Sequence, residues 1–455
     1  MYSLDDTIVA ISTPPGQGGI GIVRLSGPQA IAIAVRHFTP RGRRGWAPEP
    51  RRLYYGRIVR PGSRTTIDQV LLATMPAPHS YTCQDVAEIN AHGGMIPLRE
   101  ILRLCLQQGA RLAEPGEFTL RAFLNGRIDL AQAEAVLDVI RAQTQASLHI
   151  AQQQLEGRLS AEVRQLRREL LHVLAYFQAR IDFPEDDVPV RDVLPELNHA
   201  TRQLAVLLSQ ANQGLIYRQG VRTAIVGRPN VGKSSLLNRL LGQERAIVTP
   251  IPGTTRDTLS ETIDLQGIPL VLVDTAGISA SRDPIEALGI ERSRAAITQA
   301  DLVLLLVDGS VPPTSADEVV ADLVGAKQAL LVLNKSDLHP SYDYGALLPA
   351  SPHYAISALT GAGMEDLQQG VVELLLKHQI TPSTEPIVSN PRHQQALMGA
   401  ADSVDAVCQA YQQGTYTDLL TIDLAEAIRL LGEITGEAAS DDLLATIFGS
   451  FCIGK

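Results

Sequence analysis

The segment Gly227-Arg-Pro-Asn-Val-Gly-Lys-Ser234 follows a short buried-type strand pattern, Arg222-Thr-Ala-Ile-Val226, and runs into a helical pattern at Ser235-Leu-Leu-Asn238. That strand–loop–helix context separates GxxxxGKS from an ordinary glycine-rich turn. Backbone N–H groups of the loop and of the helix start can cradle phosphates, and the glycines let the backbone come close enough to do so. Such a loop belongs to a doubly wound α/β sheet. The chain from 216 to 378 alternates strand and helix patterns as that architecture requires.

Four further patterns follow in order: Gly253-Thr-Thr-Arg-Asp257, Asp274-Thr-Ala-Gly277, Asn334-Lys-Ser-Asp337 and Ser357-Ala-Leu359. Together with the first they divide the recognition of one guanine nucleotide into separate tasks. Asn230, Val231, Gly232, Lys233, Ser234 and Ser235 form the phosphate loop, with Lys233 reaching the outer phosphates and the Ser234 hydroxyl binding Mg²⁺. Thr255 completes the magnesium shell from the loop that carries Thr249, Pro250, Ile251, Pro252, Gly253 and Thr254. Asp274 ends a strand pattern and can hold a magnesium-bound water. Beyond Thr275 and Ala276, Gly277 offers an N–H to the terminal phosphate. Asn334 and Lys335 lead to Asp337, whose carboxylate can accept from the paired N–H donors of guanine. Adenine lacks that pair, so GTP is expected over ATP. Ala358, between Ser357 and Leu359, would offer its N–H to the guanine oxygen.

Hydrolysis needs more than these patterns supply. Many nucleotide switches place a Gln after Asp-x-x-Gly to orient the attacking water. Here that position is Ile278, and no arginine finger is identifiable. Glu286 is one candidate to orient water, through a second water, although a carboxylate is also favoured at a helix N-terminus for its own sake. Asn230 and carbonyls of the 249–254 loop suit a hard monovalent cation beside the phosphates, although Asn230 is equally able merely to shape its loop.

The flanking sequence sets the organisation. The length of 455 residues allows about three domains. Residues 1–118 mix strand-like runs (Thr7–Ile11, Gly19–Leu25) with turns and a helix near Ile96–Gln108, an α+β pattern. From 119 to 215 the period becomes helical, with Leu155, Leu159, Val163, Leu166, Leu170, Val173 and Phe177 in one stripe. Residues 379–455 read as a linker and then helix to the end. Each helical stretch is too short to form a large core alone. The expected fold is therefore multi-domain: an α+β N-terminal domain, a discontinuous all-α domain, and an α/β P-loop domain of Ras-like type inserted into it.

A net charge of −10 argues against a broad phosphate-binding face. Arg41 to Arg44 with Arg51-Arg52 form a local basic cluster that reads more simply as a solvated loop. The acidic run Asp182–Asp187 reads as a helix-breaking loop. Cys83, Cys105, Cys408 and Cys452 have no paired spacing. The longest strongly apolar run, Leu302–Val307, is too short to span a bilayer, and no secretory signal precedes the first strand. A cytoplasmic protein without membrane contact is expected.

The ends of the chain carry a closer likeness. Asp6-Thr-Ile-Val-Ala10, Thr13-Pro-Pro-Gly-Gln-Gly-Gly-Ile-Gly21, His79-Ser-Tyr-Thr82, His92-Gly-Gly94, Pro115-Gly-Glu-Phe118, Arg121-Ala-Phe-Leu-Asn125, Asp129-Leu-Ala-Gln-Ala-Glu134, Ile181-Asp-Phe-Pro184 and Phe451-Cys-Ile-Gly-Lys455 resemble the MnmE (TrmE) family over essentially the full length. The resemblance implies a homodimeric, potassium-dependent GTPase of tRNA modification. It would act with an MnmG-type flavoprotein that carries FAD and NADH. Together they would build a carboxymethylaminomethyl-type group on the wobble uridine of certain tRNAs, with a one-carbon unit from 5-formyl- or 5,10-methylene-tetrahydrofolate. It implies folate contacts at Arg24, Glu88, Arg127 and Lys455, a potassium site at Asn230, Thr249, Ile251 and Thr254, a catalytic carboxylate at Glu286, and a proposed one-carbon role for Cys452. Arg127 is Lys in some relatives. The alternative is a ribosome-assembly GTPase acting as an RNA-binding switch. That reading expects a basic C-terminal RNA-binding domain, whereas this C-terminus is helical and mostly neutral or acidic.

Overall fold

The computed structural model describes residues 4–41, 46–62, 65–183, 188–244, 261–273, 286–338, 342–376 and 387–455. Its first unit is built on a seven-stranded sheet: β1 (Ile8–Ile11), β2 (Gly18–Ser26), β3 (Phe38–Pro40), β4 (Leu53–Val59), β5 (Thr66–Met75), β6 (Val86–Gly93) and β7 (Arg111–Leu112). The order is β3-β4-β5-β6-β2-β1-β7, antiparallel except for the parallel pair β1–β7. Alternate residues of β5 and β6 (Val70 and Leu72, Ala87, Ile89 and Ala91) enter a core shared with the helices Ala30–Arg36 and Met95–Gln107. This is the two-period pattern of a sheet with one covered face.

The second sheet contains β8 (Val221–Val226), β9 (Thr262–Leu265), β10 (Ile268–Leu272), β11 (Leu302–Asp308), β12 (Ala329–Asn334) and β13 (His353–Ala355), in the order β13-β12-β11-β8-β10-β9. Only β9–β10 is antiparallel. Every residue of Leu302–Asp308 is buried, which accounts for its unbroken apolar run. Separate clusters cover the two faces, so the nucleotide unit is the doubly wound α/β fold read from the sequence.

Helices from both sides of that unit share one core. Leu159 to Phe177 and Val193 to Ala211 pack with Val388 to Ile434 in a single buried cluster. The helical unit is thus discontinuous in sequence, with the α/β unit inserted. One departure concerns the C-terminus. The last helix, Asp441–Gly449, packs on Leu120, Leu130 and Leu137. The final residues then leave helical conformation, and Ile453 forms an antiparallel bridge to Pro115. Helical periodicity cannot foresee this, because Gly454 at φ +94° ends any helix and admits the tail against Ile11 and Ser12. No helix among the described residues is long and apolar enough to cross a membrane.

A buried ionic cluster joins the halves of the helical unit. Glu134, on the helix Leu130–Arg141, accepts from Arg392 at 3.0 and 2.6 Å and pairs with His393 Nε2 at 2.7 Å. Arg392 also donates to the Glu433 carbonyl at 2.7 Å. Burial works to raise the Glu134 carboxyl, but His393 and Arg392 outweigh it and hold the group well below the usual carboxylate range.

Glu134→Gln should leave the Arg392 guanidinium without its buried counter-charge and take the acceptor from His393, whose imidazole burial holds below its usual range, and should lower unfolding free energy by about 3–5 kcal/mol near neutral pH. Urea denaturation followed by circular dichroism would measure it. A carboxyl with a depressed folded pKa stabilises above its unfolded value and loses that stabilisation as pH falls. The difference between parent and variant should therefore shrink below about pH 4.

Candidate functional site

The turn after β8 and the helix Lys233–Glu244 build the phosphate loop. Asn230 takes φ +67°, Gly227 +152° and Gly232 +101°. A Cβ at Gly227 would collide with the Leu306 carbonyl, and one at Gly232 with the Asn334 amide. The loop is thereby pressed against two neighbouring strand ends. Lys233 Nζ folds over the loop and donates to the carbonyls of Gly227 at 2.7 Å and Arg228 at 2.8 Å. Burial draws its ammonium below the ordinary lysine value. Ser234, Ser235 and Asn230 are exposed at the open side of the loop, and Val231 is buried beneath it.

Asn334 ties three motifs together. Its Nδ2 donates to the Val231 carbonyl at 2.7 Å, and its Oδ1 accepts from Ala358 N at 2.9 Å. Asn334, Ser357 and Ala358 are buried, whereas Asp337 and Leu359 are exposed beside them. Thr360 N donates to Ser357 Oγ at 3.1 Å, and Arg239 donates to the Leu359 carbonyl at 2.9 Å, fastening this loop to the helix that follows the phosphate loop. The Asn334–Asp337 and Ser357–Leu359 motifs thus meet the phosphate loop although their residues are more than a hundred positions away from it.

A turn at Asp308-Gly309-Ser310 also joins the cluster and was not singled out from the sequence. Lys335 Nζ pairs with Asp308 Oδ2 at 2.6 Å. The available signal was an Asp closing an otherwise apolar buried strand and followed by Gly-Ser, a turn signature on the same edge as the nucleotide motifs.

Thr249, Pro250, Ile251, Pro252, Gly253, Thr254, Thr255, Asp274, Thr275, Ala276 and Gly277 lie outside the described residues. Glu286 heads the helix Glu286–Gln299 as far as that helix is described. Of the magnesium and potassium ligands read from the sequence, Ser234 and Asn230 are therefore the two with a described position. Both are exposed on the phosphate loop and the start of its helix, and hydroxyl and amide oxygens suit hard cations.

A second constellation lies on the first unit. Arg24 and Glu88 are cross-strand partners on β2 and β6, and Arg24 Nε donates to Glu88 Oε1 at 2.8 Å. Arg24 Nη1 also reaches the Gly454 carbonyl at 3.4 Å. The guanidinium lies 5.7 Å from the Phe118 ring and 6.0 Å from the Tyr81 ring. Arg127 covers the same Tyr81 ring at 4.8 Å and donates to the Tyr81 carbonyl at 2.7 Å. The C-terminal tail is held by Phe118 N, which donates to the Lys455 carbonyl at 3.2 Å. Burial and the charge of Arg24 lower the Lys455 ammonium, against the opposing pull of Cys452 and Glu88. Arg24, Glu88, Arg127 and Lys455, together with an exposed Cys452, thus gather around Tyr81 and Phe118 from segments at opposite ends of the chain. Tyr81 and Phe118 belong to the segments His79–Thr82 and Pro115–Phe118, where the sequence signal is one aromatic among small and polar residues. Cys105 and Cys408 are core residues, and burial pushes the Cys105 thiol up to about 12.

Residues 7–127 match the family model described as GTP-binding protein TrmE N-terminus, and residues 130–452 match that of the MnmE helical domain. The chain is 49% identical over 465 residues to the tRNA modification GTPase MnmE of Roseiflexus castenholzii, covering 99% of each. It is 50% identical over 456 residues to the protein of the same name from Chloroflexus aurantiacus, covering 99% of this chain and 100% of that one. With both of its flanking units matched by family models and full-length relatives at this identity, the chain belongs to the MnmE (TrmE) family.

Proposed function

We propose that this protein hydrolyses GTP in the service of tRNA modification. In this reading it acts as a homodimer with an MnmG-type flavoprotein, installing a carboxymethylaminomethyl-type group at C5 of a wobble uridine. The domains would be 1–118, 119–215, 216–378 and 379–455, and the setting the cytoplasm. The observation that carries this reading beyond a nucleotide switch is the second constellation. A stand-alone switch has no need of Gly454 and Lys455 folded against Arg24 and Glu88, remote in sequence from the phosphate loop.

In the nucleotide site, Lys233 would leave its carbonyl partners for phosphate oxygens, and its lowered ammonium pKa reflects how little water it holds before that exchange. Asp337 would accept from guanine while Asn334 keeps its loop in register with Ala358 N. Ser234 and Thr255 would hold Mg²⁺, and Asn230, Thr249, Ile251 and Thr254 would hold K⁺; the ions supply positive charge beside the phosphates. Glu286 would orient water. In the second site, Glu88 is an acceptor for a donor-rich pterin, and Lys455 and Arg127 are cations for a carboxylate tail, so the donor set fits a reduced folate. Cys452 stands at that site as an exposed thiol.

Three measurements test this reading. Asp337→Asn exchanges an acceptor for a donor. GTP affinity should fall by at least about a hundredfold while xanthosine triphosphate, which has a carbonyl in place of the amine, gains; competition binding would show it. GTP turnover should be faster in KCl than in NaCl, and Glu286→Ala should keep nucleotide binding but slow turnover by about a hundredfold. Equal rates in the two salts would remove the cation site, and unchanged turnover would remove Glu286. Finally, mass spectrometry of tRNA nucleosides from cells lacking this protein should show loss of the wobble-uridine substituent, restored by the parent chain and not by Arg24→Ala. Unchanged nucleosides would leave the GTPase and refute its proposed use.

A further inference from the structure

Lys335 sits at φ +66°, a left-handed conformation unfavourable for any residue with a Cβ. Its ammonium is paired with Asp308 Oδ2. Asp308 ends the buried strand β11 and is the register partner of Asn334 on β12. Its other oxygen, Oδ1, accepts from Ser310 N at 3.1 Å and from Ser310 Oγ at 2.6 Å. Gly309 N donates to the Asn334 carbonyl at 2.8 Å, and the Tyr344 hydroxyl donates to the Asp308 carbonyl. The Asp308 side chain is 10% exposed, and with both oxygens engaged it is held against rotation. Burial works to raise its carboxyl, but Lys335 and Ser310 hold it below the usual carboxylate range, so it stays charged.

We propose that Asp308 is a positioning residue for guanine recognition: by fixing the Lys335 ammonium it holds the Asn334–Asp337 segment in the conformation that presents Asp337 to the base. This rests on the GTP reading above. A lysine has four rotatable side-chain bonds, and freezing them before the nucleotide arrives removes an ordering cost from binding. The same anchor offsets the left-handed backbone at Lys335, which would otherwise relax and carry Asp337 with it. The anchor acts on the Asn334–Asp337 segment at the ends of β11 and β12, so its effect belongs to affinity and not to the hydrolytic step.

The test is a double-mutant cycle on the full chain, with fluorescently labelled GDP as the probe. Asp308→Asn keeps the side-chain shape but removes its charge, and should weaken binding roughly tenfold. It should raise KM for GTP while kcat holds, and Asp308→Glu should recover part of the loss. Lys335→Ala should weaken binding as well, and the double variant should be no weaker than Lys335→Ala alone, because Asp308 acts only through Lys335. Ser310→Ala, which loosens Asp308 without removing charge, should move affinity in the same direction by less, and serves if Asp308→Asn fails to fold. Additive losses in the cycle, or affinity unchanged in both Asp308→Asn and Ser310→Ala, would overturn the proposal. Failure of the parent chain to bind guanine nucleotide would instead overturn the GTP reading and the proposal with it.

Discussion

The contact on which the architecture depends is the clamp of Arg392 and His393 on Glu134. The partners are separated by more than 250 residues, and the whole nucleotide unit lies between them in sequence. A buried charge cluster is poor at adding net stability but severe on mispairing, because any arrangement that leaves Glu134 alone is strongly penalised. Here it selects one way of bringing the returning chain onto the departing one. The two strands of traffic pass close by: a Cβ at Gly214, on the outgoing helix, would collide with the Val388 carbonyl of the incoming segment. Gln154 then fastens that segment by bonds to the Ile387 carbonyl and Ser389. An inserted domain needs neighbouring entry and exit points, and these contacts supply them.

With its ends fixed, the nucleotide unit is also tethered at a second place. Thr144 Oγ1 of the helical unit donates to the Gly267 carbonyl in the β9–β10 turn at 2.8 Å, and Arg218 pairs with Asp138 at 2.8 Å. Both contacts lie beside the amino ends of β8 and β10, whereas the phosphate loop and Asn334 lie at the carboxyl ends of β8 and β12. The recognition loops therefore stand at the free end of the unit, on the carboxyl side of the parallel strands, where an open α/β sheet presents its ligand crevice.

Much of this was legible in the sequence, and the reasons differ by element. The phosphate loop and the Asn334–Asp337 motif could be read because each combines a backbone requirement with a side-chain task in a few consecutive residues. The shared helical core could be inferred from stripes too short to stand alone, and Leu166, Leu170 and Val173 indeed lie in one cluster with Val404 and Leu424. Arg24, Glu88, Arg127 and Lys455 were a different case. Nothing in their spacing links them, and apart from a resemblance they read as unrelated surface charges. What unites them is β-sheet register, which sets Arg24 opposite Glu88, and a tail whose non-helical turn depends on Gly454. Asp308 escaped notice for the converse reason: one acidic residue at a strand end is common, and its partner emerges only when β11 and β12 are aligned.

The tail also explains why the first and last residues must be read together. Phe448 and Phe451 enter a core with Leu120 and Leu130, so the last helix belongs energetically to the junction between the sheet unit and the helical unit. Removing the final residues would strip Gly454 from Arg24 and Lys455 from Phe118 while leaving the nucleotide loops untouched. The two candidate sites are thus structurally separable. The phosphate loop depends on β8, β11 and β12, whereas the Arg24 site depends on β2, β6 and the chain terminus. Within the chain the two units are joined through the helical unit, which holds the nucleotide unit at Thr144 and Gly267, packs Leu130 and Leu137 with Leu120, and has its halves joined at Glu134.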